Sequence, residues 1–165
     1  MKTLILGGIK SGKSAFAEHY ILNRSAQKPY YLATTEFIDQ EMQKKINQHK
    51  KNRADRFYTI EEPLKLKQTL LTLTDKFVLI ECVSMWINNA IYHDYSNEAI
   101  LEELQECINI STNIVFVLND VSTTIVSDNP LVRRFVNLSG LAAQNLASQA
   151  NEVYQVVAGI GVKIK

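Results

Sequence analysis

The stretch Gly7-Gly8-Ile9-Lys10-Ser11-Gly12-Lys13-Ser14 constrains this chain more than any other. It follows the apolar run Thr3-Leu4-Ile5-Leu6 and leads into a helix-forming segment from Ser14 to about Arg24. Strand, glycine-rich turn and helix N-terminus, in that order, make a phosphate-binding loop. The glycines allow positive φ and close backbone approach, so the loop N–H groups turn inward onto an anion. The helix adds unpaired N–H donors and the positive end of its dipole. In such a loop Lys13 reaches the β- and γ-phosphates, and the Ser14 hydroxyl is a ligand for Mg²⁺. All of Gly7 through Ser14 is therefore assigned to a nucleoside triphosphate.

Behind the loop, apolar strand-like runs alternate with helical periodicities. Tyr30–Ala33, Phe57–Ile60, Phe77–Ile80, Ile114–Leu118 and Val153–Val157 read as strands. Helices are expected over Asp39 to about Lys51, Leu64–Leu73, Trp86–Tyr92, Ala99–Ile110 and Leu131 to about Gln149, with Gly159–Lys165 an extended tail. The first helix is expected to bury Ala15, Phe16, Tyr20 and Ile21. This alternation implies one α/β domain over residues 1–165, with a mostly parallel sheet flanked by helices. A net charge of +1 gives no electrostatic footprint for nucleic acid or an anionic membrane. No run reaches the roughly 18–20 apolar residues of a membrane span, and no signal-peptide pattern precedes the loop. Cys82 and Cys107 lack metal-type spacing and read as buried free thiols of a cytoplasmic protein.

Further residues fall at the carboxyl ends of strands, where open parallel sheets bind ligands. Thr34, Thr35 and Glu36 follow the second strand. Glu81 closes the strand Phe77–Ile80, either as a second Mg²⁺ ligand or as a carboxylate that ends a strand in water. Asn119-Asp120 ends another strand and points to the same crevice. Asp128 or Asn129 caps the last helix, and Arg133 and Arg134 in its first turns suit either a phosphate or an ordinary surface. His49 stands among Lys44, Lys45, Lys50, Lys51 and Arg53. Like charge disfavours the imidazolium and leaves a neutral, nucleophilic ring, although a solvated surface histidine fits the same setting. At this level a small-molecule kinase and a nucleotide-binding regulator without catalysis both remain open.

The spaced motifs together resemble the bifunctional adenosylcobinamide kinase / adenosylcobinamide-phosphate guanylyltransferase family of cobalamin biosynthesis. The similarity runs from the phosphate loop through Tyr31–Thr35, Asp39, Glu41-Met42, Ile46, His49 and Arg53. It continues with Glu81–Asn89, Asn119–Val121 and Ile125-Val126, and ends on Gly159–Lys165. The chain departs from the family pattern at 119–127, where glycines and a proline are replaced, and at 135–144, where Phe-Arg-Asp and Asn-Gln become Phe135-Val136-Asn137 and Ala143-Gln144. The resemblance implies phosphorylation of the aminopropanol hydroxyl of adenosylcobinamide by GTP or ATP. It then implies transfer of GMP from GTP to that phosphate through GMP held on a histidine, whose position His49 occupies. Thr34, Thr35, Lys50, Lys51, Asn52, Arg53, Glu61 and Glu81 become expected nucleotide contacts, with Glu36 beside them. Mg²⁺ as cofactor and a homotrimer are expected on the same ground.

Overall fold

A computed structural model describes residues 1–36, 55–121 and 126–165. The expected helix over Asp39–Lys51, with His49, Lys50, Lys51, Asn52 and Arg53, lies outside the described residues. Seven strands form one sheet: β1 (Lys2–Gly7), β2 (Tyr30–Ala33), β3 (Tyr58–Glu61), β4 (Phe77–Glu81), β5 (Asn113–Asn119), β6 (Glu152–Val157) and β7 (Ile160–Lys163). The helices are α1 (Lys13–Leu22), α2 (Leu66–Leu71), α3 (Val83–Tyr92), α4 (Asn97–Ile110) and α5 (Pro130–Gln149). The strand order is β3-β2-β4-β5-β1-β6-β7, parallel throughout except for β7, which runs antiparallel to β6.

Strand alternation divides the core into two layers. Leu4, Leu32, Ile80, Phe116 and Val153 face one side, where they meet Leu66 and Leu70 of α2, Trp86 and Ile87 of α3, Leu104 of α4 and Leu146 of α5. Ile5, Tyr31, Leu79, Val115, Val117 and Val156 face the other, against Ala17, Tyr20 and Ile21 of α1. Ala15, expected on the buried face of α1, is exposed, and Ala17 takes its place. Trp86 is fully buried in the core, and its indole N–H donates to the Leu64 carbonyl at 2.8 Å.

Caps explain several boundaries. The Ser96 hydroxyl accepts from Ala99 N–H at 3.1 Å and starts α4 two residues earlier than apolar spacing implies. Asn129 Oδ1 accepts from Leu131 N–H at 2.9 Å, with Pro130 in the first turn, which selects Asn129 as the cap of α5. Arg133 and Arg134 fasten that end of α5: Arg133 donates to the Ser127 carbonyl at 2.8 Å, and Arg134 to Asn97 Oδ1 at 2.8 Å and the Tyr95 carbonyl at 2.5 Å. Both free cysteines are present, Cys107 buried and Cys82 half-buried; burial raises both thiols above their ordinary range.

The expected extended tail is instead the second arm of a hairpin. Val157 pairs with Ile160 across Ala158 and Gly159, whose φ values of 50° and 82° are those of a type I′ turn. A Cβ on Gly161 would lie 2.3 Å from the Phe16 ring, so glycine lets β7 close on α1. A polar cluster secures the same corner. Glu152 accepts from Tyr20 at 2.5 Å, Tyr154 at 3.0 Å and Lys163 at 2.8 Å. The Lys163 and Tyr20 hydrogen bonds hold the Glu152 carboxyl well below its usual range, at about 2. Its stabilising effect is therefore complete above the unfolded value of 4.5 and is lost as pH falls from there towards 2. The melting-temperature gap between the parent protein and Glu152→Gln, followed by circular dichroism, is expected to be widest near neutrality and to shrink below that value. A gap independent of pH would show that the cluster does not hold the carboxylate.

Candidate functional site: a phosphate loop braced by the sheet

The loop after β1 has the conformation its glycines permit. Gly12 caps α1 in the left-handed region at φ 89°, and no side chain caps the helix N-terminus. Lys10 also has positive φ, at 62°, while Ser11 N–H closes a turn on the Gly8 carbonyl at 3.2 Å. The free N–H groups of α1 and its dipole are thus left for an anion. Lys13 is 8% exposed and lies along the loop, its ammonium 3.2 Å from the Gly8 carbonyl. An ammonium has three donors, so further hydrogen bonds remain for phosphate oxygens. Ile9, by contrast, is 82% exposed at the loop's tip.

Two neighbours hold the loop. Asp120 N–H, just beyond β5, donates to the Gly7 carbonyl at 2.9 Å. On the other side the hairpin turn reaches over, and Gly159 N–H donates to the Ser11 carbonyl at 2.7 Å. A Cβ on Gly12 would lie 2.9 Å from the Gly159 Cα, so both the φ and the close approach require glycine there. The C-terminal hairpin is therefore part of the loop's scaffold.

The strand ends assemble the remaining groups. β4 is separated from β1 by β5, yet the Ser14 hydroxyl donates to Glu81 Oε1 at 2.8 Å. Glu81 thus faces the phosphate loop rather than merely ending a strand. The Thr34 hydroxyl is engaged with backbone, donating to the Cys82 carbonyl at 2.8 Å and accepting from Cys82 N–H at 2.9 Å. Asn89, fully buried on α3, donates to the Thr34 carbonyl at 2.7 Å and the Pro63 carbonyl at 3.1 Å. Thr35 and Glu36 follow at the end of β2, half-buried. Glu36 meets His93 at 2.8 Å. Glu61 ends β3 and is exposed. Thr34, Glu61 and Glu81 thus occupy one rim of the sheet, since Ala33 is in register with both Glu61 and Glu81.

Sequence reasoning missed Ser84 and Asn89 as braces of this rim. The Ser84 hydroxyl accepts from Asn119 N–H at 2.9 Å and joins α3 to the end of β5. The available signal was two polar residues on an otherwise apolar helix face. Gly159 was missed as a loop support; Ala158-Gly159 between two alternating runs is the hairpin cue.

Comparison with known proteins bears on this arrangement. Residues 3–164 match the family described as cobinamide kinase / cobinamide phosphate guanyltransferase. The protein named bifunctional adenosylcobalamin biosynthesis protein CobU from Salmonella typhimurium is 36% identical over 184 residues, with all of both chains covered. Its namesake from Escherichia coli K12 is 34% identical over 183 residues, again covering both chains completely. The Pseudomonas aeruginosa protein named CobP is 33% identical over 173 residues, covering all of this chain and 98% of that one. Among solved structures, the flagellar accessory protein FlaH from Methanocaldococcus jannaschii has a TM-score of 0.53 at 11% identity, covering 99% of this chain and 77% of the other. A KaiC-like protein from Pyrococcus horikoshii has a TM-score of 0.51 at 12% identity, covering 93% and 69%. At those identities the structures show the shared α/β fold and nothing finer. With the match spanning nearly its whole length, the chain belongs to the cobinamide kinase / cobinamide phosphate guanyltransferase family.

Proposed function

We propose that this protein phosphorylates the aminopropanol hydroxyl of adenosylcobinamide with GTP or ATP, and then transfers GMP from GTP to that phosphate through a covalent GMP on His49. The observation that carries the reading is the Ser14–Glu81 contact of 2.8 Å beside a buried Lys13, in a chain that matches the family over residues 3–164. A hydroxyl and a carboxylate are hard oxygen donors of the kind Mg²⁺ takes. Among the described residues no cluster of three His, Cys, Asp or Glu side chains exists. That fits an ion that leans on substrate phosphates and keeps its waters. Ser14 and Glu81 would hold it, and when bound it neutralises phosphate charge.

In the kinase step Lys13 and the backbone N–H groups of Gly8–Ser14 orient the β- and γ-phosphates; the acceptor hydroxyl attacks the γ-phosphorus, the bond to the β-phosphate oxygen breaks, and the nucleoside diphosphate and the hydroxyl proton leave. In the transferase step a neutral His49 nitrogen attacks the α-phosphorus. The bond to the β-phosphate oxygen breaks and pyrophosphate leaves. A phosphate oxygen of adenosylcobinamide phosphate then attacks the same phosphorus and frees the imidazole, giving adenosyl-GDP-cobinamide. Lys50, Lys51, Asn52 and Arg53 complete the nucleotide contacts, with Thr34, Thr35, Glu36 and Glu61 at the rim.

The reading takes the enzyme to be cytoplasmic and, by family resemblance, a homotrimer. Among the described residues no helix is long and apolar enough to cross a membrane. Exposed Val157, Ile160, Val162 and Ile164 on the hairpin offer an apolar surface for assembly. Supplying adenosylcobinamide, GTP and Mg²⁺ and following corrinoid products by chromatography tests the activity. Successive appearance of the phosphate and the GDP derivative is expected; unchanged adenosylcobinamide, with its supplied phosphate also unconverted, would overturn the reading.

A further inference from the structure

A cavity of about 290 Å³ opens on the α5 side of the sheet, at the carboxyl ends of β1 and β5. Leu6, Val121, Val136 and Ala143 form its apolar walls, and Asn119, Asp120 and Gln144 bring polar groups to it. It adjoins the phosphate loop directly, because Leu6 precedes Gly7 and Asp120 N–H is bonded to the Gly7 carbonyl at 2.9 Å. Ser139 lines it too, at 1% exposure. Its hydroxyl has no hydrogen-bond partner among the described residues. A buried hydroxyl left unmatched costs stability unless something else completes it. Gly140 lines the same wall, and a Cβ built there meets nothing within 4 Å. Among the described residues, α5 therefore faces open space at Gly140.

The lining decides the ligand class. Among the described residues its one charged side chain is the carboxylate Asp120, which accepts from Gln155 Nε2 at 3.1 Å, and no basic residue lines it, so a further phosphate is disfavoured. No aromatic side chain among the described residues lines it, so a nucleobase finds no stacking surface there. Apolar walls with a hydroxyl, two amides and an acceptor carboxylate suit an uncharged arm that carries amide or hydroxyl groups. We infer that this cavity receives such an amide-bearing arm of the acceptor substrate and so sets it against the phosphate loop. The inference rests on the proposed function, in which the acceptor is a cobinamide.

Gly140→Leu and Ser139→Ala test it in steady-state assays with adenosylcobinamide and GTP. Leucine at 140 projects into the void, and the α5 helix gains from replacing an interior glycine. Gly140→Leu is expected to raise the KM for adenosylcobinamide by about tenfold or more while the KM for GTP stays within about twofold. Ser139→Ala is expected to act in the same direction by a few-fold, roughly what one neutral hydrogen bond supplies. Should Gly140→Leu fail to fold, Ser139→Ala decides, read both from KM and from equilibrium binding of adenosylcobinamide by ultrafiltration. An unchanged KM for adenosylcobinamide in folded variants, or a rise in the KM for GTP alone, overturns the inference while leaving the proposed function standing. A parent protein that converts neither adenosylcobinamide nor its phosphate overturns that function and this inference with it.

Discussion

Lys13→Ala is expected to lower kcat/KM for both the kinase and the guanylyltransferase reactions by about 10²–10³-fold, the loss seen when one preorganised charge-stabilising donor is removed. The side chain is 8% exposed and its ammonium lies 3.2 Å from the Gly8 carbonyl, so it is already placed along the loop before any nucleotide arrives. Nothing need be reorganised when phosphate charge develops, which is why its removal costs rate rather than fold. The core beneath it is carried by Ala17, Tyr20 and Ile21, and the melting temperature is expected to change little. Lys13→Arg is not a safe control, because a guanidinium needs more room than an ammonium in a closed loop. Steady-state assays of both steps on one preparation provide the check. A fall in the kinase step with guanylyl transfer intact would mean that GTP is held elsewhere for the second reaction.

The second large effect is expected at His49. In the proposed mechanism the transfer is divided into two steps that both pass through the imidazole, so His49→Ala should abolish guanylyl transfer. The proposed kinase step makes no use of the imidazole, so its rate should stay within about twofold, and adenosylcobinamide phosphate should accumulate. The other two histidines have structural occupations. His19 is 2.8 Å from Asn23 Nδ2 at the end of α1, and His93 is 2.8 Å from Glu36. Loss of both reactions in a folded His49→Ala protein would instead mark the residue as a general nucleotide contact.

The phosphate loop was legible because its chemistry is local: glycine at 12 is demanded by φ 89°, whereas the 2.9 Å approach of Gly159 that also requires it was not legible. The buried strands were legible from apolar runs such as Ile114–Leu118, which face helices on both sides of the sheet. Contacts made across the sheet were less so. Glu81 could be placed near Ser14 only if β4 came close to the loop, and strand order is not written in any one segment. α3 begins at Val83, ahead of the expected Trp86, because Cys82 offers no side-chain cap to mark the start. The hairpin was read as a tail because Gly159, Ile160 and Gly161 suggested an extended run, although Ala158-Gly159 carried the turn. The brace that the Thr34 hydroxyl gives the end of β4 through Cys82 was likewise not legible, because its partner lies 48 residues away.

Incubation with GTP labelled in the α-phosphate asks whether His49 carries GMP between the two substrates. The parent protein is expected to acquire acid-labile label with release of pyrophosphate, and to pass it to adenosylcobinamide phosphate when that acceptor is added. His49→Ala is expected to acquire none. Equal labelling of the parent and His49→Ala proteins would contradict the account.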